Sequence, residues 1–366
     1  MKNKFLIFCA ATAAAGVVLA IAGFVTGGWI YGIGADWKGI HVYAPALEEK
    51  NKDTGSGMMK QSEELPQTFE SIQIRAEYAD IRVERTDGDA YSLSYDLPGY
   101  CELLKEVKDG KLLLTMQLRH SAGFGQVKWF WFGLWPGNGT GISANETASI
   151  TVLVPKDAKL SEAFFLTDSG NITCKGIQAD TLQATAAYGD INLMDIQARE
   201  MEMKLEAGSL QMEQAQGGSC TVTNEYGDAL FENMALTGDM KIHMESGDIR
   251  FHDTTMRGLE LKNAYGSVNG EQTVFEQMQM SVESGDCSFF DLAFDSLSIQ
   301  EEYGDVDLKL RRDVSDYGYE LRTEYGEIEI EGQKMGDTYV TLEENQKPFL
   351  KIICESGNIE IQNTKS

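Results

Sequence analysis

The sequence predicts an all-β protein: a parallel β-solenoid of repeats of about 19 residues, plus one N-terminal transmembrane helix. Three observations predict it. A Gly-centred motif recurs at near-constant spacing. Apolar and polar residues alternate on either side of it, which is strand periodicity. Near the start, Phe5 to Gly34 contain no charged side chain.

That uncharged run is long enough to span a bilayer core, which takes about 20 apolar residues. Lys2 and Lys4 precede it and predict a cytoplasmic tip, with the rest of the chain outside the cell membrane as a single-pass protein. Ala20-Ile21-Ala22 also has the form of a signal-peptide cleavage site. Cleavage there would leave Phe24, Val25, Trp29, Ile30 and Tyr31 as a hydrophobic stump, so an uncleaved anchor over 1–36 is expected. Trp29, Tyr31 and Trp37 fit an interfacial aromatic belt. Residues 37–66 are polar around Glu48 to Gly57, without periodicity, and read as a flexible tether.

Residues 67–165 read as an irregular β entrance that caps the solenoid. Ile72, Ile74, Ile81 and Val83 alternate around Glu77-Tyr78-Ala79-Asp80, a copy of the motif with Ala in the Gly place. A turn at Lys108-Asp109-Gly110-Lys111 leads into Leu112, Leu114 and Met116. The stretch 121–147 is an aromatic loop, with Trp129, Phe130, Trp131, Phe132 and Trp135 between glycines. Such a cluster suits contact with a membrane, a surface glycan or a membrane protein. Folding back over the open end of the solenoid is the alternative.

Residues 166–365 carry the regular repeats. The motif is an acidic residue, then Ser or Tyr, Gly, Asp or Asn, and an apolar residue, as in Glu245-Ser246-Gly247-Asp248-Ile249. Its glycines are Gly170, Gly189, Gly208, Gly227, Gly247, Gly266, Gly285, Gly304, Gly326 and Gly357, spaced by 19 or 20 residues up to Gly304 and then by 22 and 31. Each marks a turn that favours positive φ. A unit this short cannot bury its own apolar face, but stacked units can. The residue before Gly alternates between Tyr and Ser or Ala, and the one three before it changes in step. Two readings are open: volume compensation in a packed interior, or a coil of two units, about 38 residues, that stacks Tyr on Tyr.

Composition narrows function. With 31 Lys+Arg against 57 Asp+Glu, the net charge of −26 excludes a nucleic-acid partner. At this point the chain resembles a known family. The run Ala148 to Pro155, a loop, and repeated Ser-Gly-Asp/Asn-Ile units are similar to the DUF4097 family of adhesin-like proteins, which includes YvlB-like and LiaG-like bacterial envelope proteins. The resemblance implies a right-handed β-helix-like fold outside a membrane segment. It carries over no catalytic residue and no cofactor.

The expected function is therefore non-enzymatic binding, adhesin-like, at the cell envelope. An accessory role in envelope-stress signalling is the alternative. A carbohydrate-active β-helix enzyme is a third reading, for which His243 and His252 near Glu245, Asp248 and Asp253 form the best available cluster. Stacking would align Asp190, Asp228, Asp248, Asp286 and Asp305 about 5 Å apart, a ladder that could attract Ca²⁺ or simply form a solvated turn edge. Cys9 lies in the membrane run. Cys101, Cys174, Cys220, Cys287 and Cys354 are odd in number and form no CxxC; Cys174, Cys220 and Cys287 sit in apolar-alternating positions and read as buried small hydrophobes rather than disulfide partners.

Overall fold

The computed structural model describes residues 32–36, 39–43, 58–118, 148–341 and 348–364. The chain divides into two units, one of residues 1–55 with 119–143 and one of residues 56–118 with 144–366. In the first unit, Gly32–Asp36 and Gly39–Tyr43 form an antiparallel hairpin. The expected anchor over 1–36 thus gives way to strand at its last residues, where Gly and a charged Asp36 replace the apolar run. The rest of that anchor lies outside the described residues. Among the described residues no helix is long and apolar enough to cross a membrane.

The second unit is built of two 15-stranded sheets. One turn of chain shows the plan. The long strand Gln178–Tyr188 ends at Gly189-Asp190, the short strand Ile191–Met194 runs along the other sheet, and the chain returns as Gln197–Ala207. Gln178 pairs in parallel with Gln197 and Gln197 with Gln216, so one coil is 19 residues. The 38-residue alternative is excluded by this register, which sets Tyr188 against Ala207 and not against another Tyr.

Alternation drives the packing. Leu182, Ala184 and Ala186 of the long strand and Ile191 and Leu193 of the short one all point inward and are buried. The coils share a single core that runs from Leu65 to Ile361. Two corners close each coil. At the first, Gly170, Gly189, Gly208, Gly227, Gly247, Gly266 and Gly285 have φ between 131° and 157°. At the second, Gly176, Asp195, Gln214, Asn233, Asp253, Gln272 and Asp291 are left-handed, with φ between 49° and 70°. The 20-residue spacing from Gly227 to Gly247 is one extra residue, taken up where the long strand breaks between Ala235–Leu236 and Asp239–Ser246.

Both ends depart from sequential stacking. Ser71–Ala76 and Asp80–Thr86 form the first coil in the chain, yet they lie one coil in. They sit between the regular stack and a coil of Lys111–Leu118 and Ser149–Pro155. At the other end, Phe349–Ser356 and Ile359–Asn363 slot between the coil of 296–310 and that of 318–330. The 22- and 31-residue spacings follow from this order, because Gly357 stacks on Gly304 and Gly326 on Gly357.

Antiparallel strands finish each end. Cys101–Lys108 covers Lys111–Leu118, and Tyr91–Pro98 covers Ser149–Pro155. Met58–Leu65 pairs with Tyr91–Pro98, so the expected tether over 37–66 is corrected. Its last part is a sheet edge anchored by buried Leu65, and its first holds the strand Gly39–Tyr43. The regular coils also begin earlier than residue 166, since Leu160–Ser169 is already a full long strand.

Candidate functional site

The first corner repeats along the stack and makes one continuous edge of the rod. Its backbone is fixed by the glycine column. A Cβ on Gly208 would lie 2.1 Å from the carbonyl oxygen of Gly189, and one on Gly247 equally 2.1 Å from that of Gly227. Only a residue without a side chain lets successive coils approach this closely.

The residue after Gly forms a second column. Asn171 N–H donates to Asp80 Oδ1 at 2.9 Å, Asp190 N–H to Asn171 Oδ1 at 2.8 Å and Ser209 N–H to Asp190 Oδ1 at 2.8 Å. From Asp228 a second run leads to Asp248, Ser267, Asp286, Asp305, Asn358 and Glu327. Within each run the side chain accepts from the backbone N–H of the next coil in the stack. The five aspartates read from the sequence as a calcium ladder are therefore brought into one column, but Ser209 and Ser267 interrupt it. One oxygen of Asp190, Asp228, Asp248, Asp286 and Asp305 is committed to a neighbouring N–H. Arg250 also pairs with Asp248 at 2.9 Å and with Asp228 at 3.8 Å. Among the described residues no group of three or more His, Cys, Asp or Glu side chains could hold a metal ion.

The residue before Gly points outward. Tyr78, Tyr188, Tyr226, Tyr265, Tyr303 and Tyr325 are 49–69% exposed. Register places a small residue between each pair: Ser169 beside Tyr188, then Ala207, Tyr226, Ser246, Tyr265, Ser284, Tyr303, Ser356 and Tyr325. Tyr78 starts the row next to Ser169, as the bond from Ser169 N–H to Glu77 O shows. In sequence the order breaks at Tyr303, Tyr325, Ser356. In space the inserted coil restores it. Volume compensation in the interior is thereby excluded, because the tyrosines lie outside the core.

The residue two before Gly is acidic in most coils, as Glu77, Asp168, Glu206, Glu225, Glu245, Glu283, Glu302, Glu355 and Glu324, with Ala187 and Ala264 the exceptions. Tyr78 and Tyr325, at the two ends of the row, feel these charges. Partial burial first, then Glu77 and Asp168, hold the Tyr78 phenol above its usual pKa, and Glu324 does so for Tyr325.

Three before Gly the side chains are buried, and several are polar. Asn224 Nδ2 donates to Gly208 O at 3.1 Å and Gly227 O at 3.0 Å, and Asn263 Nδ2 to Gly247 O at 3.2 Å and Gly266 O at 2.8 Å. These brace the glycine column from inside. Glu301 holds the same position, 2% exposed, with Cys287 Sγ 3.4 Å away and Cys354 opposite in register. Burial pushes its carboxyl up to about 7. Cys101, Cys174, Cys220, Cys287 and Cys354 are all buried.

The histidine cluster is not assembled. His243 lies on a long strand and His252 on a short strand of the other sheet, where it faces Glu271 at 3.4 Å and Asp253 at 3.7 Å. The aromatic loop with Trp129, Phe130, Trp131, Phe132 and Trp135 lies outside the described residues. Sequence reasoning placed Tyr78 and Asn358 in copies of the motif, but it did not recognise the outward-facing tyrosine row, nor Ser209 and Ser267 as members of the column after Gly. The regular alternation before Gly was the available signal.

Comparison with known proteins adds three findings. A family model described as Toastrack DUF4097 matches residues 69–362. No curated protein matches the sequence. Crystal structures of three bacterial proteins resemble the fold. One is a candidate cell adhesion protein from Clostridium sporogenes, at 10% identity over 84% of this chain and 99% of that one, with a TM-score of 0.19. Another, a candidate adhesin from Parabacteroides distasonis, shares 12% identity over 84% and 98%, with a TM-score of 0.36. The third, a candidate adhesin from Bacteroides fragilis, shares 11% over 85% and 98%, with a TM-score of 0.23.

Proposed function

Since the chain belongs to the Toastrack DUF4097 family, we propose that it is a non-enzymatic, adhesin-like binding protein of the cell envelope. The uncharged run Phe5 to Gly34 behind Lys2 and Lys4 supports an anchor that leaves the solenoid outside. A right-handed winding of the coils is part of this reading, since parallel crossovers overwhelmingly have that hand.

The tyrosine row carries the reading. The fold does not require Tyr at these sites, because Ser and Ala serve in the intervening coils. Exposed aromatics that the fold does not need, held in line on a rigid edge, are a contact feature. The test is retention of envelope components by the full-length chain in detergent. A variant with Tyr188, Tyr226, Tyr265 and Tyr303 changed to Ser should fold normally and lose what the parent retains. If the parent retains nothing, or both retain the same material, binding through this edge is wrong. Retention of one membrane protein that crosslinks to residues 119–147 would instead favour the accessory role in stress signalling.

A further inference from the structure

The tyrosine edge has a period and a charge, and together they select a partner. Parallel strands lie about 4.8 Å apart, so tyrosines in every second coil recur at roughly 9.6 Å. Between them lie the small residues. Over Ser246, between Tyr226 and Tyr265, is a bay of about 370 Å³ whose lining also includes Glu245, Glu283, His243 and Lys262. Beside the row run the acidic residues that precede most of its members, Tyr188 and Tyr265 being preceded by Ala187 and Ala264, and on its other flank runs the aspartate column.

An aromatic face next to carboxylates binds an ammonium or guanidinium group, by cation–π attraction and by charge-assisted hydrogen bonds. A second copy of this edge is repelled by its own charge, as are nucleic acid and anionic lipid. The matching ligand is set by length. A polyproline II segment has three residues per turn at 3.1 Å each, so every third side chain returns to the same face after about 9.3 Å. A β-strand turns its third side chain to the opposite face.

We propose that the tyrosine edge docks an extended basic polypeptide segment, with Lys or Arg at every third residue seated against successive tyrosines. This rests on the binding reading above and names its partner class.

The test is fluorescence anisotropy of the full-length chain in detergent with labelled 18-residue peptides of equal charge. In them Lys recurs every second, third or fourth residue, separated by Gln, Ser and Pro. The third-residue peptide should bind best, and 0.5 M NaCl should weaken it. Y226S with Y265S should cost about tenfold in affinity, the loss expected for two exposed cation–π contacts of about 0.7 kcal/mol each. The serines are native to alternate coils, so an unchanged melting curve confirms that the variant is folded. Equal affinity for all spacings, or no effect of the serines, overturns the proposal. So does tyrosine-dependent binding of neutral oligosaccharides without binding of the peptides, an outcome that leaves the binding function standing. No retention of any envelope component would remove that function as well.

Discussion

Gly208 shows how narrow the tolerance of the edge is at the scale of one residue. Ala there would force the coils apart against the Gly189 carbonyl, at positive φ as well. Chemical denaturation of G208A should show a loss of roughly 3 kcal/mol or more. Gly88, whose added Cβ would meet only the Thr86 side chain at 3.6 Å, should accept Ala within about 0.5 kcal/mol. In the neighbouring column the acceptor matters and the charge does not, since Asn171 and Asn358 do the same work as aspartate. D248N should therefore keep its melting temperature, whereas D248A should lose about 1 kcal/mol.

Glu301 gives a pH dependence with a definite sign. Its folded pKa, about 7, is raised above the usual 4.5. The uncharged acid is the form the core accepts, so stability is full below the usual value. It falls as pH rises from there through 7. The penalty approaches roughly 3 kcal/mol at alkaline pH. E301Q should match the parent at pH 4 and exceed it in denaturant midpoint at pH 8. A midpoint difference that does not change with pH would contradict this.

At the scale of the element, strand alternation and the glycine corner were legible. Side-chain period and spacing are direct consequences of pleat and coil length, and both survive in a single chain. The second corner was not legible. Its left-handed residues are Gly176, Asp195, Gln214, Asn233, Asp253, Gln272 and Asp291, a mixed set without one signature. The conformation is enforced by the coils on either side, at a local cost for residues with a long side chain. Gln272 is one of the costly choices. Q272G should raise stability by up to about 1 kcal/mol in a thermal melt, provided that the unfolded chain does not gain as much freedom.

At the scale of the whole molecule, the order of the coils was hidden from the sequence. Pattern reports which segments are coils, not which coil each one touches. Along the chain the spacings of 22 and 31 residues depart from the period, while in space they mark an inserted turn. The tyrosine alternation held the clue, since it fails along the chain and holds along the stack. The inserted turn joins two others, so deletion of residues 348–366 should release far more than its own length. Residues 318–341 lose the parallel partners they have among the described residues and should become sensitive to protease, which limited proteolysis with mass mapping would read out. Continued protection of 318–341 would show that they dock elsewhere.

The antiparallel strands at the two ends have one more effect. Met58–Leu65 and Cys101–Lys108 close one terminus, and Gln333–Gly336 and Thr338–Val340 the other. The outer strand Cys101–Lys108 is studded with Glu102, Lys105, Glu106 and Lys108, which discourages a neighbour from adding on. The stack of coils is thus a ruler cut to length: its end strands disfavour extension end to end, and each molecule offers a set quota of aromatic rungs. A ligand that already spans those rungs gains further avidity only by bringing several molecules together on one surface.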